Sequence, residues 1–227
     1  MPLLILPDSF IVWEGGSMKK ILLSFLCPLV LLGCGTDKTH STVPASASST
    51  VEETTANPHE ILPASLSFYH KAAQEYGKGN HTEALQLADK ALDNDKENYQ
   101  ALSLKGIILS FDISPEEGIP YIEKALSIAP GYTQAFYDMA IAQKLGGHPD
   151  ISNTYFEKVL QADPQNIWSY YGMATNWADK KNKEQALLYL EKAVALGGEP
   201  VKNAAGKQDH FLWLRNDSDF QKILQKK

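Results

Sequence analysis

Few side chains in this 227-residue chain are placed to do chemistry. The six histidines are His40, His59, His70, His81, His148 and His210. No two have the i, i+4 spacing that puts a pair of metal ligands on one helical face. A metal site would need distant pairs, so no metal is expected. Gly146-Gly147 is a turn between helical patterns and not a phosphate-cradling loop, and no Gly-x-Ser-x-Gly elbow occurs. Acid–lysine pairs such as Glu123-Lys124 recur, but adjacent residues on a helix do not face each other. They read as a solvated face. No cofactor and no catalytic residue is expected, and the chain is read as a non-enzyme.

The elements that must position anything else are set by a beat. Asp89-Lys90-Ala91-Leu92, Glu123-Lys124-Ala125-Leu126, Glu157-Lys158-Val159-Leu160 and Glu191-Lys192-Ala193-Val194 lie 34 residues apart (123 − 89 = 34). Phe68, Leu102, Phe136 and Tyr170 keep the same beat and are large. Ala72, Gly106, Ala140 and Ala174, then Ala84, Gly118, Ser152 and Ala186, keep it and are small. A fixed period of 20–50 residues marks a solenoid. Four units follow: 65–98, 99–132, 133–166 and 167–200. Each reads as two helices of about a dozen residues, marginal alone in water. Stacking on neighbours supplies the missing burial. Ser152, Phe156, Val159 and Leu160 have the spacing of an amphipathic stripe. Ser114-Pro115-Glu116-Glu117 carries a cap, a proline at the first helical position and a glutamate three on. The small residues of first helices are expected to meet those of second helices.

This pattern resembles the tetratricopeptide repeat (TPR) family over residues 65–200. It departs where the family carries a tyrosine late in the first helix; here stand Glu75, Leu109, Gln143 and Trp177. The resemblance implies an all-α solenoid whose first helices line a concave groove. Their second, fifth and ninth positions place Gln100, Gln134 and Trp168, then Tyr69, Tyr137 and Tyr171, then Ile107 and Ile141, on that inner face. These would form a tyrosine ladder with an apolar floor and amide edges. Tyrosine offers large contact area and a polar tip, which suits binding. The alternative is that the tyrosines only pack between repeats. The lysine and asparagine with which some members grip a terminal carboxylate are missing from the fifth and ninth positions.

The N-terminus is a separate region. Met18-Lys19-Lys20 opens a positive start, and residues 21–32 form an apolar core, as in a signal peptide. Met18 is read as the true start. Leu31-Leu32-Gly33-Cys34 resembles the bacterial lipobox. The resemblance implies cleavage before Cys34 and lipidation of its thiol and amine with palmitate-type chains. A cleaved secretory signal with an incidental cysteine, or an uncut membrane helix, are the alternatives. Cys27 would leave with the signal, so a mature chain would hold no thiol pair. Residues 1–33 are thus the signal region. Residues 34–62 are the lipidated cysteine and a Ser/Thr/Ala-rich tether. Residues 63–227 are the TPR domain, with a cap over 201–227. The 28 residues from 35 to 62 lack aromatics and cannot bury enough to order themselves. Their r.m.s. span would be roughly 30 Å.

The formal charge is −6, and no basic stripe for nucleic acid is present. The expected role is a membrane-anchored adaptor that binds a protein or peptide segment in the groove at the bacterial cell envelope. With two membranes it would sit on the periplasmic side of the outer one, since Gly35 and no aspartate follows the cysteine. With one it would sit on the outer face of the plasma membrane. An assembly factor for an envelope machine (pilus, secretin or wall-remodelling complex) is the alternative. An enzyme or small-molecule receptor would need a closed polar pocket.

Overall fold

Most helices of the array carry their own start signal. Asn98, Ser114, Asn166 and Asn182 each accept a backbone N–H three residues on, satisfying a donor that the first helical turn leaves open. Prolines begin three helices, where their missing N–H costs nothing. Gly79 and Gly147 take positive φ (77° and 78°) in the turns that fold helices back. Lys181 does the same job at φ 59°.

The structure, a computed structural model, describes residues 9–14, 17–22 and 58–226. Residues 58–226 are helical: α1 (Pro63–Gly77), α2 (His81–Asn94), α3 (Tyr99–Asp112), α4 (Pro115–Ile128), α5 (Thr133–Leu145), α6 (Pro149–Ala162), α7 (Ile167–Asp179), α8 (Lys183–Lys207), a 3-10 turn (Asp209–Leu214) and α9 (Ser218–Gln225). Consecutive helices pair as hairpins, and each hairpin packs on the next. The expected all-α solenoid holds. Ahead of it, β1 (Ser9–Glu14) and β2 (Ser17–Leu22) form an antiparallel ribbon with Trp13 opposite Met18. The remainder of the signal and lipobox reading, Cys34 included, lies outside the described residues.

Small residues set the helix spacing. A Cβ added to Gly118 would stand 2.2 Å from the Gly106 carbonyl oxygen, and one on Gly106 would stand 2.8 Å from that of Gly118. Ala72, Ala84, Ala140, Ala174 and Ala186 are fully buried. Burial is spread over several clusters along the array, as expected where each repeat touches only its neighbours.

The ends are closed differently. At the N-terminus, His59 donates to the Asp95 carboxylate (2.9 Å), which also accepts the Leu62 N–H (3.0 Å). The chain is therefore fixed to the first repeat from His59 on, before the tether was expected to end. At the C-terminus α8 breaks at Gly198 (φ 59°) and resumes. Phe211 and Phe220 stack at 5.6 Å and bury completely beside Leu190 and Val201. Asp217 caps α9 through the N–H groups of Asp219 and Phe220.

Candidate functional site

The inner face is built by α1, α3, α5 and α7, and it is not one uniform ladder. Two of the expected groove residues are core. Tyr171 is 4% exposed, and its hydroxyl donates to Gln208 (2.9 Å) while its ring lies against Phe211. The cap residues fold back over the last repeat and occupy the place a ligand was expected to take. Ile107 is also 4% exposed, enclosed with Ala72, Leu104 and Ile108, and Ile141 packs on the same cluster. Trp168 meets Tyr171 edge-on at 5.8 Å and shares its cluster. Tyr137 is half-buried and packs edge-on against Phe156 at 5.7 Å. For these side chains packing between repeats is a real part of the role.

The other half of the face is different. Tyr69, Tyr76, Tyr99 and Tyr132 are all partly exposed. Tyr69 and Tyr132 influence each other's titration although 63 residues separate them (132 − 69 = 63). Tyr99 and Tyr132 meet edge-on at 5.0 Å. Gln134 is exposed, and its amide donates to Asp138 (2.8 Å) one helical turn on. Ser103 donates to the other Asp138 oxygen (2.6 Å). Gln100 precedes Ser103 by one turn, and its Oε1 is buried with no hydrogen-bond donor.

Asp138 governs the electrostatics here. It is 5% exposed. Burial pushes its carboxyl up to about 7, against the pull of the Ser103 and Gln134 hydrogen bonds. Burial also raises the phenols of Tyr69, Tyr76, Tyr132 and Tyr137, and the charge of Asp138 adds to each. The sequence placed Tyr69, Gln100, Gln134 and Tyr137 in this group but missed Asp138, Tyr76, Tyr99 and Tyr132. The available signal was an acid four residues after Gln134 inside an otherwise apolar and small-residue stretch.

Farther along α5, Lys144 donates to the Thr175 hydroxyl (2.5 Å) and lies 3.6 Å from Asp179. Burial pushes its ammonium down to about 8 despite that carboxylate. Burial would raise Asp179, but the His210 hydrogen bond (2.6 Å) and charge, then Lys144, outweigh it and hold the carboxyl low. This chain of ion pairs ties α5, α7 and the cap together.

On the outer side, two of the four recurrent lysines lie against aromatic rings. Lys158 lies 5.2 Å and 4.9 Å from the ring centres of Phe136 and Tyr155. Lys192 lies 5.5 Å and 5.4 Å from Tyr170 and Tyr189. Among the described residues, no group of three or more His, Cys, Asp or Glu side chains is arranged to hold a metal ion, and no helix is long and apolar enough to cross a membrane.

No family model and no curated protein matches this sequence. Solved structures do. YrrB, a TPR protein with an unusual peptide-binding site, is 25% identical with a TM-score of 0.52, over 64% of this chain and 75% of that one. PilF of Pseudomonas aeruginosa is 15% identical, TM-score 0.60, over 70% and 73% of the two chains. A thermophilic TPR protein of Thermus thermophilus is 17% identical, TM-score 0.59, over 71% and 91%. The helix hairpins, their 34-residue beat and these likenesses together give the chain a tetratricopeptide-repeat fold.

Proposed function

We propose that the chain is a lipid-anchored adaptor that holds a protein segment in its inner groove at the bacterial envelope. The observation that carries the binding half is the partly exposed cluster of Tyr69, Tyr76, Tyr99 and Tyr132 with Gln134 beside it, on packed helices. Rigid aromatics with polar tips bind at small entropic cost. The peptide-binding site of YrrB, the 25%-identical structure, supports the same use of the fold. The anchoring half rests on Leu31-Leu32-Gly33-Cys34 and on the lysines and apolar run before it. Binding then confines the partner to the envelope surface, which is the whole of the activity proposed.

Two measurements test it. A photo-crosslinking residue at Gln134 should capture a discrete partner in cells, and one at Thr154, exposed on the outward α6, should not. Equal capture at both positions, or none at Gln134, would refute the groove. Labelled palmitate should enter the wild-type chain and not Cys34→Ser; label retained in that variant would refute the anchor.

A further inference from the structure

Asp138 lies low in the inner face with no cation of its own among the described residues. An ionised carboxylate has about four acceptor sites. Two are met, by the neutral donors Ser103 and Gln134. The cations of the surrounding helices are engaged elsewhere. Lys71 lies over Phe68 (5.6 Å), Lys78 pairs with Glu75, and Lys105 pairs with Asp89 (2.6 Å). Lys144 is held by Thr175 and Asp179, and His81 by Asp112. A turn before Ser103, the buried Oε1 of Gln100 is a second acceptor with no donor. Around these stand the phenol rings of Tyr69, Tyr76, Tyr132 and Tyr137, whose titrations feel the Asp138 charge.

A negative charge in a poorly solvated place and several π faces describe one kind of ligand. It is a cation with several N–H donors, attracted by rings and carboxylate alike. An anionic group would be repelled by the Asp138 charge, and a purely apolar one would leave it unpaired.

We propose that the groove beside Asp138 takes the ammonium or guanidinium group of a lysine or arginine in the bound segment. Because Asp138 is 5% exposed, the cation sits above it, against the phenol oxygens and ring faces, rather than in a forked pair with it. The inference rests on the groove being the binding surface and adds what the groove selects.

The test uses the full-length chain and pools of nine-residue peptides whose central residue is fixed as Lys, Arg, Ala or Glu, read by fluorescence polarisation at pH 7.5. The Lys and Arg pools should bind at least about tenfold more tightly than the Ala pool, as for a charge pair shielded from water. Asp138→Asn should abolish that preference while the Ala pool binds as before. Asp150→Asn, which removes an exposed charge of α6, should leave the preference intact. Equal binding of all pools to the wild type, or a preference surviving in Asp138→Asn, would overturn the cation subsite alone. If no pool binds at all, the groove itself falls as the binding surface and the subsite with it.

Discussion

Replacing Asp138 by asparagine should stabilise the protein above neutral pH and do little in acid. Burial holds the carboxyl near 7 in the folded chain against an ordinary 3.8. A factor of ten in a proton equilibrium is about 1.4 kcal/mol. Ionised Asp138 therefore costs the native state on the order of 4 kcal/mol relative to its protonated form. The raised value fixes the sign. Below 3.8 the group is protonated in both states and costs nothing. Between 3.8 and about 7 the native state holds the extra proton, so stability falls as pH rises, and above 7 the cost is complete. Asparagine keeps the shape and can turn its amide to Ser103 and Gln134. Urea denaturation followed by helical circular dichroism, from pH 4 to pH 7.5, gives the difference between variant and wild type. Other carboxyls, such as Asp95 and Asp179, are present in both proteins and cancel in that difference. So does Lys144, which titrates at about 8 on the same helix. The phenols facing Asp138 (Tyr69, Tyr76, Tyr132 and Tyr137) stay protonated through this window. The difference should be near zero at pH 4 and grow steadily to pH 7.5. A flat difference, or a variant less stable at pH 7.5, would refute the reasoning.

Gly118→Ala should cost about 1–3 kcal/mol, because its new methyl meets the Gly106 carbonyl. Gly131→Ala, with nothing within 4 Å, should stay within about 0.5 kcal/mol of wild type in the same urea titration. Tyr171→Phe removes the bond to Gln208 and should cost about 1 kcal/mol, whereas Tyr171→Ala should cost about 3–5 kcal/mol. Proteolysis at the cap should accelerate in the alanine variant and not in the phenylalanine one. Asp95 is pushed up by burial but held lower still by the Leu62, His59 and Glu97 hydrogen bonds, so its contribution is lost as pH falls through its folded value. The melting-temperature gap between wild type and Asp95→Asn should therefore close in acid.

The array was legible because its signal is repeated. Ala72, Gly106, Ala140 and Ala174 read as small-residue contacts in the sequence, and the Gly106–Gly118 approach shows why they must be small. The recurrent lysines were seen but half understood. Testing Lys158 only against its acidic neighbour Glu157 finds no partner, since its rings come from Phe136 on α5 and Tyr155 one turn back on α6. Tyr171 was misplaced because the residues that cover it, Gln208 and Phe211, lie beyond the last repeat and outside the beat. Asp138 was missed for a related reason. Position by position it replaces Gly172 of the next unit, and only the approach of α3 and Ser103 turns it from a surface acid into a buried one. What repeats is readable; what closes or specialises the array depends on contacts between unlike segments.

The inner face as the binding surface is tested most directly by hydrogen exchange on the full-length chain, with and without the best-binding Lys-fixed peptide pool. Added protection is expected in α1, α3 and the first turns of α5, around Tyr69, Gln100 and Gln134. Protection confined to the outward helices α4 and α6, or none at saturating peptide, would contradict the groove.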